Sequence, residues 1–203
     1  LNRSLFCPGG SEAIEMALML AKQVTGRFKT ISFWDSFHGA GFGAASVGGE
    51  EHFSGGFGPM MPGAFRVEFP NYYRNPWRFT RQEEVDAECL RQVEHVLKRE
   101  PEMAAVIGEP ISATPVIPSR RFWQGVKQLC EQYGALLIFD EVIEGFGRTG
   151  KMFASEHWNL KPGNLLSRPE TLYFDPAGNT TLTLTLDRQI APIPPRAIGR
   201  IIT

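Results

Sequence analysis

Ala135–Met152, ALLIFDEVIEGFGRTGKM, is the most informative part of the sequence, because an apolar run passes directly into two adjacent carboxylates and then into a glycine-rich segment. The run Ala135–Phe139 reads as a short buried strand, and a helix is predicted over Arg120–Tyr133, ended by Gly134. In open α/β sheets, ligands bind beyond the carboxyl ends of the strands. Asp140, the first residue after this strand, is therefore a candidate ligand-binding residue.

Helical and strand patterns alternate before this stretch. In chain order they predict a helix over Ser11–Thr25, a strand over Lys29–Trp34, glycine-rich loops with a short helix over Asp35–Gly58, a helix over Gln82–Arg99 and a strand over Met103–Gly108. Strands separated by helices of this length indicate a mainly parallel sheet with helices on both faces. The predicted fold class is therefore α/β, and Glu109 follows a strand end just as Asp140 does.

Composition narrows the classes of partner. The 203 residues contain 21 Lys and Arg against 22 Asp and Glu, a balance that does not indicate binding to nucleic acid or to an anionic membrane. Three widely spaced cysteines without a CxxC pair suit a reducing, cytoplasmic setting. No apolar run reaches the roughly 18 residues of a membrane span. Because the first residue is Leu1 and not Met, we expect a piece of a longer chain.

The character of the sequence changes after Pro162. Residues 163–203 contain the alternating run TTLTLTL and the cluster APIPP, without a clear helical pattern. We expect residues 1–162 to form one partial domain and residues 163–203 to be an atypical tail. The tail is either a strand-rich appendage, a disordered segment or the product of a shifted reading frame.

The glycines of the opening stretch fit two phosphate-loop patterns weakly. Gly145–Gly150 matches GxGxxG, and Gly145–Lys151 matches GxxxxGK. Met152 stands where the second pattern needs Ser or Thr for magnesium, and nearby carboxylates such as Glu144 would repel a pyrophosphate. A loop in which glycines only let the chain turn is favoured, and nucleotide binding stays as an alternative.

The carboxylates instead suggest a ligand with a cationic atom. Strand alternation points Asp140 and Val142 to one side and Glu141 to the other. At about 4 Å and an effective dielectric of about 20, a carboxylate attracts a protonated ring nitrogen by about 4 kcal/mol, roughly three pK units. This chemistry matches the pyridinium of pyridoxal phosphate (PLP). A solvated strand end and a metal site are the alternatives for the two acids.

Two further motifs suit such a cofactor. Pro8–Ser11, PGGS, opens the first helix, where free backbone N–H groups can hold a phosphate, although a plain helix cap explains it equally. Phe37 and His38 follow a predicted strand, and the aromatic ring could stack on a cofactor ring. The alternative is a core aromatic residue beside a surface histidine.

Together these segments resemble the class III PLP-dependent aminotransferases. The resemblance covers residues 5–162 and rests on FCPGGSEAIEMALMLAK, WDSFHG, AAVIGEP and LCEQYGALLIFDEVIEGFGRTGKMFASEHW. It implies part of the large, PLP-binding domain of a fold-type I transferase. It also implies that Gly10 and Ser11 hold the cofactor phosphate. Phe37 would stack on one ring face with His38 beside it, and Val142 would pack on the other face.

The same resemblance assigns the remaining site residues. Asp140 would pair with the pyridinium nitrogen, and Glu109 would lie near the substrate. Where many relatives carry Gln, this chain has Ile143, which removes one hydrogen bond to the ring oxygen and leaves the substrate open. The implied reaction moves an amino group from an amine or amino acid to a 2-oxo acid or aldehyde, in a homodimer whose sites form at the interface.

One expected residue is missing. The family forms a Schiff base through a lysine in a later A/S-K-G-x-x-G-G segment, and none of the six lysines has that context: Lys22, Lys29, Lys98, Lys127, Lys151 and Lys161. We therefore expect an inactive fragment. A PLP-dependent lyase or decarboxylase of the same family, a non-catalytic remnant that acts through dimerisation, and a nucleotide-binding protein remain as alternatives.

Overall fold

The computed structural model describes residues 3–160, 172–173 and 180–184. The helices and strands in chain order are β1 (Arg3–Cys7), α1 (Gly10–Thr25), β2 (Lys29–Phe33), α2 (Phe42–Val47), α3 (Glu51–Ser54), β3 (Ala64–Val67), α4 (Gln82–Arg99), β4 (Met103–Gly108), α5 (Arg120–Tyr133), β5 (Leu136–Phe139), a 3-10 turn (Ala154–Trp158), β6 (Leu172–Tyr173) and β7 (Thr180–Leu184). Within these residues, no helix combines the length and the apolar character that crossing a membrane requires.

The centre of the fold is a four-stranded parallel sheet in the order β3-β2-β4-β5. The predicted α/β class with a mainly parallel sheet is therefore confirmed. The bounds predicted for α4, β4 and α5 agree with the structure, and α1 begins one residue earlier than predicted. Strand β3 was not predicted.

Helices cover both faces of this sheet. Helices α4 and α5 pack an aromatic-rich core on one face, where the rings of Trp123 and Phe139 lie 4.7 Å apart. Helices α1 and α2 pack a core of smaller residues on the other face, including Ala17 and Ala105. Small side chains let a helix approach the sheet closely. The first turn of α1 therefore lies near the strand ends.

Strand alternation decides which face each residue of β5 serves. Leu137 and Phe139 belong to the α4/α5 core, whereas Leu136 and Ile138 belong to the α1/α2 core. The next residue, Asp140, continues the alternation towards α1. The cavity described below lies there.

A second sheet of three antiparallel strands has the order β1-β7-β6. Strand β7 pairs with β1 from Cys7 opposite Thr180 to Arg3 opposite Leu184. Apart from β6 and β7, the predicted tail of residues 163–203 lies outside the described residues.

Candidate active site

Four element ends meet at one cavity of about 230 Å³. The loops after β2, β4 and β5 and the first turn of α1 supply its walls, as expected for the carboxyl ends of parallel strands. The lining residues are Gly10, Ser11, Phe37, His38, Gly39, Glu109, Asp140, Val142, Ile143 and Glu144. All seven residues assigned to the site from the sequence lie in this lining, and their roles remain predictions.

Asp140 is held in place by His38. The Nδ1 atom of His38 lies 2.9 Å from Oδ2 of Asp140, and both side chains are buried. The other carboxylate oxygen, Oδ1, accepts a hydrogen bond from the backbone N–H of Val142 at 3.2 Å. Burial of Asp140 shows that the alternative of a solvated strand end is wrong.

The exposure of Phe37 and His38 tests the alternative of a core aromatic residue beside a surface histidine. His38 is 2% exposed, whereas Phe37 is 40% exposed, so a core aromatic residue beside a surface histidine is the wrong reading. Among the residues that the structure describes, Nε2 of His38 has no hydrogen-bond partner. A buried polar atom without a partner is uncommon in a folded protein and calls for an explanation such as a bound ligand.

The first turn of α1 has no side-chain cap and borders the cavity. Its N-cap is Gly9, which supplies no side-chain cap to the first backbone N–H groups of this 16-residue helix. The hydroxyl of Ser11 accepts a hydrogen bond at 3.0 Å from the backbone N–H of Ala40, so the loop after β2 is fastened to the helix start.

Gly39 makes this close approach possible. Its φ of +126° is unfavourable for other residues. A Cβ atom there would lie 2.6 Å from Oγ and 2.8 Å from Cα of Ser11. The sequence analysis did not assign Gly39 to the site, although a glycine directly after an aromatic-histidine pair was a usable signal.

Glu109 supports the loop after β2, which carries Phe37. Its Oε1 accepts from the backbone N–H of Phe37 at 3.1 Å, and its Oε2 accepts from Ala113 at 2.7 Å. Burial raises the pKa of Glu109 above its ordinary value, and neighbouring His38 partly offsets this effect. The ring of Phe37 lies 4.3 Å from that of Phe53 in α3. Glu109 therefore fixes the loop that presents Phe37 to the cavity.

Glu141 lies on the other side of the strand end, as alternation predicts. It is fully buried and accepts hydrogen bonds from the backbone N–H groups of Ala154 at 2.6 Å and Ser155 at 3.1 Å. Burial raises the pKa of Glu141 to about 7. Glu141 therefore joins β5 to the 3-10 turn and does not face the cavity.

Glu144 is a cavity residue that the sequence analysis missed. It is 5% exposed, and its Oε2 has no hydrogen-bond partner among the described residues. Burial, followed by the charges of Glu109 and Asp140, raises its pKa to about 9. The signal for its position was available in the four-residue spacing from Asp140. A hydrogen bond of 2.8 Å from Gly145 N to Glu141 O closes one helical turn and returns Glu144 to the cavity.

The glycine-rich segment after Glu144 is a turn outside this cavity. Gly147 and Gly150 have φ values of +91° and +83°, and nothing lies within 4 Å of a Cβ atom built on either one. These backbone conformations favour glycine, so the glycines serve the turn itself. Neither residue belongs to the cavity lining.

The residues present fit PLP. The described lining has three carboxyl groups and neither Lys nor Arg, which suits a ligand with a protonated nitrogen. The open first turn of α1 suits its phosphate. No group of three or more His, Cys, Asp or Glu side chains with the arrangement of a metal site occurs in the part of the chain that the structure describes.

Known proteins share both the sequence and the fold. Residues 2–166 match the aminotransferase class-III family. The chain is 36% identical over 176 residues to (R)-1-hydroxy-2-aminoethylphosphonate ammonia-lyase of Vibrio splendidus, in an alignment that covers 80% of this chain and 37% of that protein. It is 37% identical over 176 residues to alanine/serine racemase of Pyrococcus horikoshii, over 81% of this chain and 37% of the racemase.

Solved transaminases have the same fold. The PLP-bound structure of an amine transaminase from an uncultivated Pseudomonas species aligns with a TM-score of 0.82 at 29% identity, over 94% of this chain and 45% of that one. An (S)-enantioselective omega-transaminase from Thermomicrobium roseum aligns with a TM-score of 0.81 at 29% identity, over 95% of this chain and 44% of that one.

The chain thus spans less than half the length of each of these relatives. The family and the PLP-bound transaminase imply PLP as the cofactor. On the match over residues 2–166, the chain belongs to the class-III aminotransferase family.

Proposed function

We propose that this chain is the cofactor-binding part of a PLP-dependent aminotransferase, which moves an amino group from an amine or amino acid to a 2-oxo acid or aldehyde. One observation supports this proposal above the others. Asp140, buried and positioned by His38, shares a single cavity with the uncapped first turn of α1. A ligand with a protonated ring nitrogen and a phosphate matches both ends of that cavity.

Asp140 is proposed to keep a proton on the nitrogen of the cofactor ring. When bound, PLP supplies an electron sink for the bonds at the substrate Cα atom, and protonation of its ring strengthens that sink. The attraction between a carboxylate and a protonated nitrogen is about 4 kcal/mol at 4 Å in a medium with an effective dielectric of about 20. His38 holds the carboxylate in one orientation through its 2.9 Å contact.

The other assigned residues are proposed to hold and orient the cofactor. The backbone N–H groups of Gly10 and Ser11 would bind the phosphate at the start of α1. Phe37 and Val142, which both line the cavity, would contact the ring faces. Glu109, whose two oxygens accept backbone hydrogen bonds, would hold the loop of Phe37 in position.

A different reaction on the same cofactor is the second candidate. The two curated relatives described above are an ammonia-lyase and a racemase. A lyase, a decarboxylase or a racemase would use the same Asp140 and the same phosphate position, because these residues serve the cofactor and not the reaction type. Residues that contact the substrate distinguish these activities.

We also propose a cytoplasmic homodimer. The three cysteines of the chain are all free thiols, which suits a reducing compartment. Phe42, at the start of α2, and Phe57 are among the large apolar side chains that are exposed, and exposed apolar patches mark protein interfaces. The near-neutral charge balance supports small-molecule partners and no binding to nucleic acid or membranes.

Binding of pyridoxamine 5'-phosphate (PMP) tests the cofactor site without a reactive lysine. We expect the purified chain to bind PMP saturably in isothermal titration calorimetry. Pyridoxamine, which lacks the phosphate, should bind at least about tenfold more weakly because it cannot accept hydrogen bonds from the backbone N–H groups at the start of α1. Absence of saturable PMP binding, or equal affinity for both compounds, would contradict the proposal.

An activity assay tests the role of the missing lysine. Since none of the six lysines has the expected context, we expect no turnover from the purified chain with PLP, an amino donor and pyruvate. Steady production of alanine would show that another base in this chain replaces the family's lysine.

A further inference from the structure

Glu144 lines the proposed cofactor cavity and, in the described part of the chain, has a buried polar atom without a hydrogen-bond partner. The side chain is 95% buried, since its exposed fraction is 5%, and it belongs to the cavity lining. Within the described residues, its Oε2 atom has no hydrogen-bond partner. A buried carboxyl oxygen without a partner costs free energy, so the position suits a contact that forms when a ligand binds.

The other acids around the cavity already have partners for both oxygens. Asp140 contacts His38 and the backbone N–H of Val142. Glu109 accepts from two backbone N–H groups. Glu141 lies on the opposite side of the strand end and also accepts two hydrogen bonds. Of these four acids, Glu144 is therefore the one with an oxygen that has no hydrogen-bond partner among the described residues.

The charges around Glu144 determine its protonation. Glu109 after β4, Asp140 after β5 and His38 from the loop after β2 line the same cavity, and the charge of Glu141 behind the strand end also acts on Glu144. Several carboxylates in one buried cavity repel one another, and burial disfavours each charge. These effects raise the pKa of Glu144 to about 9, so the side chain is neutral at pH 7. A neutral carboxyl group has one O–H donor.

We propose that Glu144 is a further ligand-binding residue of this cavity, which donates a hydrogen bond to an oxygen atom of the bound cofactor ring. PLP and PMP both have a ring hydroxyl oxygen that can accept such a bond. Neighbouring Ile143 also lines the cavity but offers only apolar contact. This inference rests on the proposed function, because it requires a PLP-type ligand in the cavity.

PMP affinity in two variants tests the role as a donor. Glu144→Gln keeps a donor of similar size, and Glu144→Leu removes it. At pH 7 we expect E144Q to bind PMP within about threefold of the unchanged chain and E144L to bind about tenfold more weakly. Glu131→Gln is the matched control, because Glu131 pairs with Lys127 on α5, away from the cavity lining.

The pH dependence separates a donor from an acceptor. The affinity of the unchanged chain relative to E144Q should fall as pH rises through about 9, where Glu144 loses its proton. Titration of PMP itself changes both dissociation constants by the same factor, so it does not change their ratio. If Glu144 instead accepts from a cationic ligand atom, E144Q binds more weakly at pH 7 and the ratio changes in the opposite direction, which overturns the inference.

The outcomes also distinguish this inference from the proposed function. If the unchanged chain does not bind PMP, both fail. If it binds PMP and both Glu144 variants bind equally well, only the role of Glu144 fails. Unfolding curves for each variant show whether a loss of affinity follows from a loss of structure, and E144Q alone still tests the pH dependence if E144L does not fold.

Discussion

The two sides of the β5 end use the same kind of residue in different ways. On the closed side, both oxygens of Glu141 accept backbone hydrogen bonds, and Glu141 does not belong to the lining of the cavity described above. On the cavity side, Asp140 is positioned but open to a ligand, and Glu144 keeps an oxygen without a partner in the described structure. The difference supports a structural role for Glu141 and the proposed ligand contacts of Asp140 and Glu144.

The largest expected effect on stability is on the closed side. Glu141→Ala leaves the buried N–H groups of Ala154 and Ser155 without this acceptor, and we expect a loss of about 2 to 4 kcal/mol in the free energy of unfolding. Chemical denaturation measures the change. Glu131→Ala, on a partly exposed helix position, is the control and should cost less than about 1 kcal/mol. Similar values for the two variants would remove the contrast between the two sides.

The next effect concerns the start of α1. Gly39→Ala places a Cβ atom against Ser11 at a positive φ, so we expect a loss of about 2 kcal/mol in stability and about tenfold weaker binding of PMP. Gly147→Ala is the matched control, because its φ is also positive but its surroundings are open. It should cost about 1 kcal/mol and leave PMP affinity unchanged. Loss of tight ATP or NAD binding in G147A would instead favour the nucleotide-binding alternative.

A smaller effect appears in the pH dependence of stability. The pKa of Glu144 is raised from 4.5 to about 9 on folding, so the folded chain binds more protons than the unfolded chain between these pH values. Its contribution to stability is complete below pH 4.5 and is lost as pH rises through 9. Between pH 5 and pH 9, the free energy of unfolding should fall by at least about 1 kcal/mol more in the unchanged chain than in E144Q.

Glu109 and Glu141 also have raised pKa values, and they shift stability in the same direction. The difference between the unchanged chain and E144Q removes their contribution. Parallel pH profiles for the two proteins would show that Glu144 is charged or solvated in the folded chain.

The sequence predicted the parts of the fold that follow local periodicity. Alternation in β5 continues for two residues beyond Phe139 and correctly separates Asp140 from Glu141. Glu144 was missed because the chain leaves the strand for a helical turn, which changes the period from two residues to nearly four.

Strand β3 was missed for a different reason. Its sequence AFRV has only four residues and includes the charged Arg66. Arg66 is accommodated because its guanidinium donates to the carbonyl oxygens of Ser46 and Gly48 at the end of α2. These contacts come from a distant part of the chain, and local pattern does not reveal them. The burial of His38 likewise depends on its long-range contact with Asp140.

The affinity of Asp140→Asn for PMP is the sharpest test of whether Asp140 pairs with a protonated cofactor ring. The substitution keeps the shape of the side chain and removes its negative charge, so a protonated ring nitrogen loses its partner. We predict that D140N binds PMP at least about tenfold more weakly than the unchanged chain at pH 7, and unfolding curves of both proteins check that the variant is folded. Equal dissociation constants for the two proteins would contradict the assignment of Asp140 to a protonated cofactor ring.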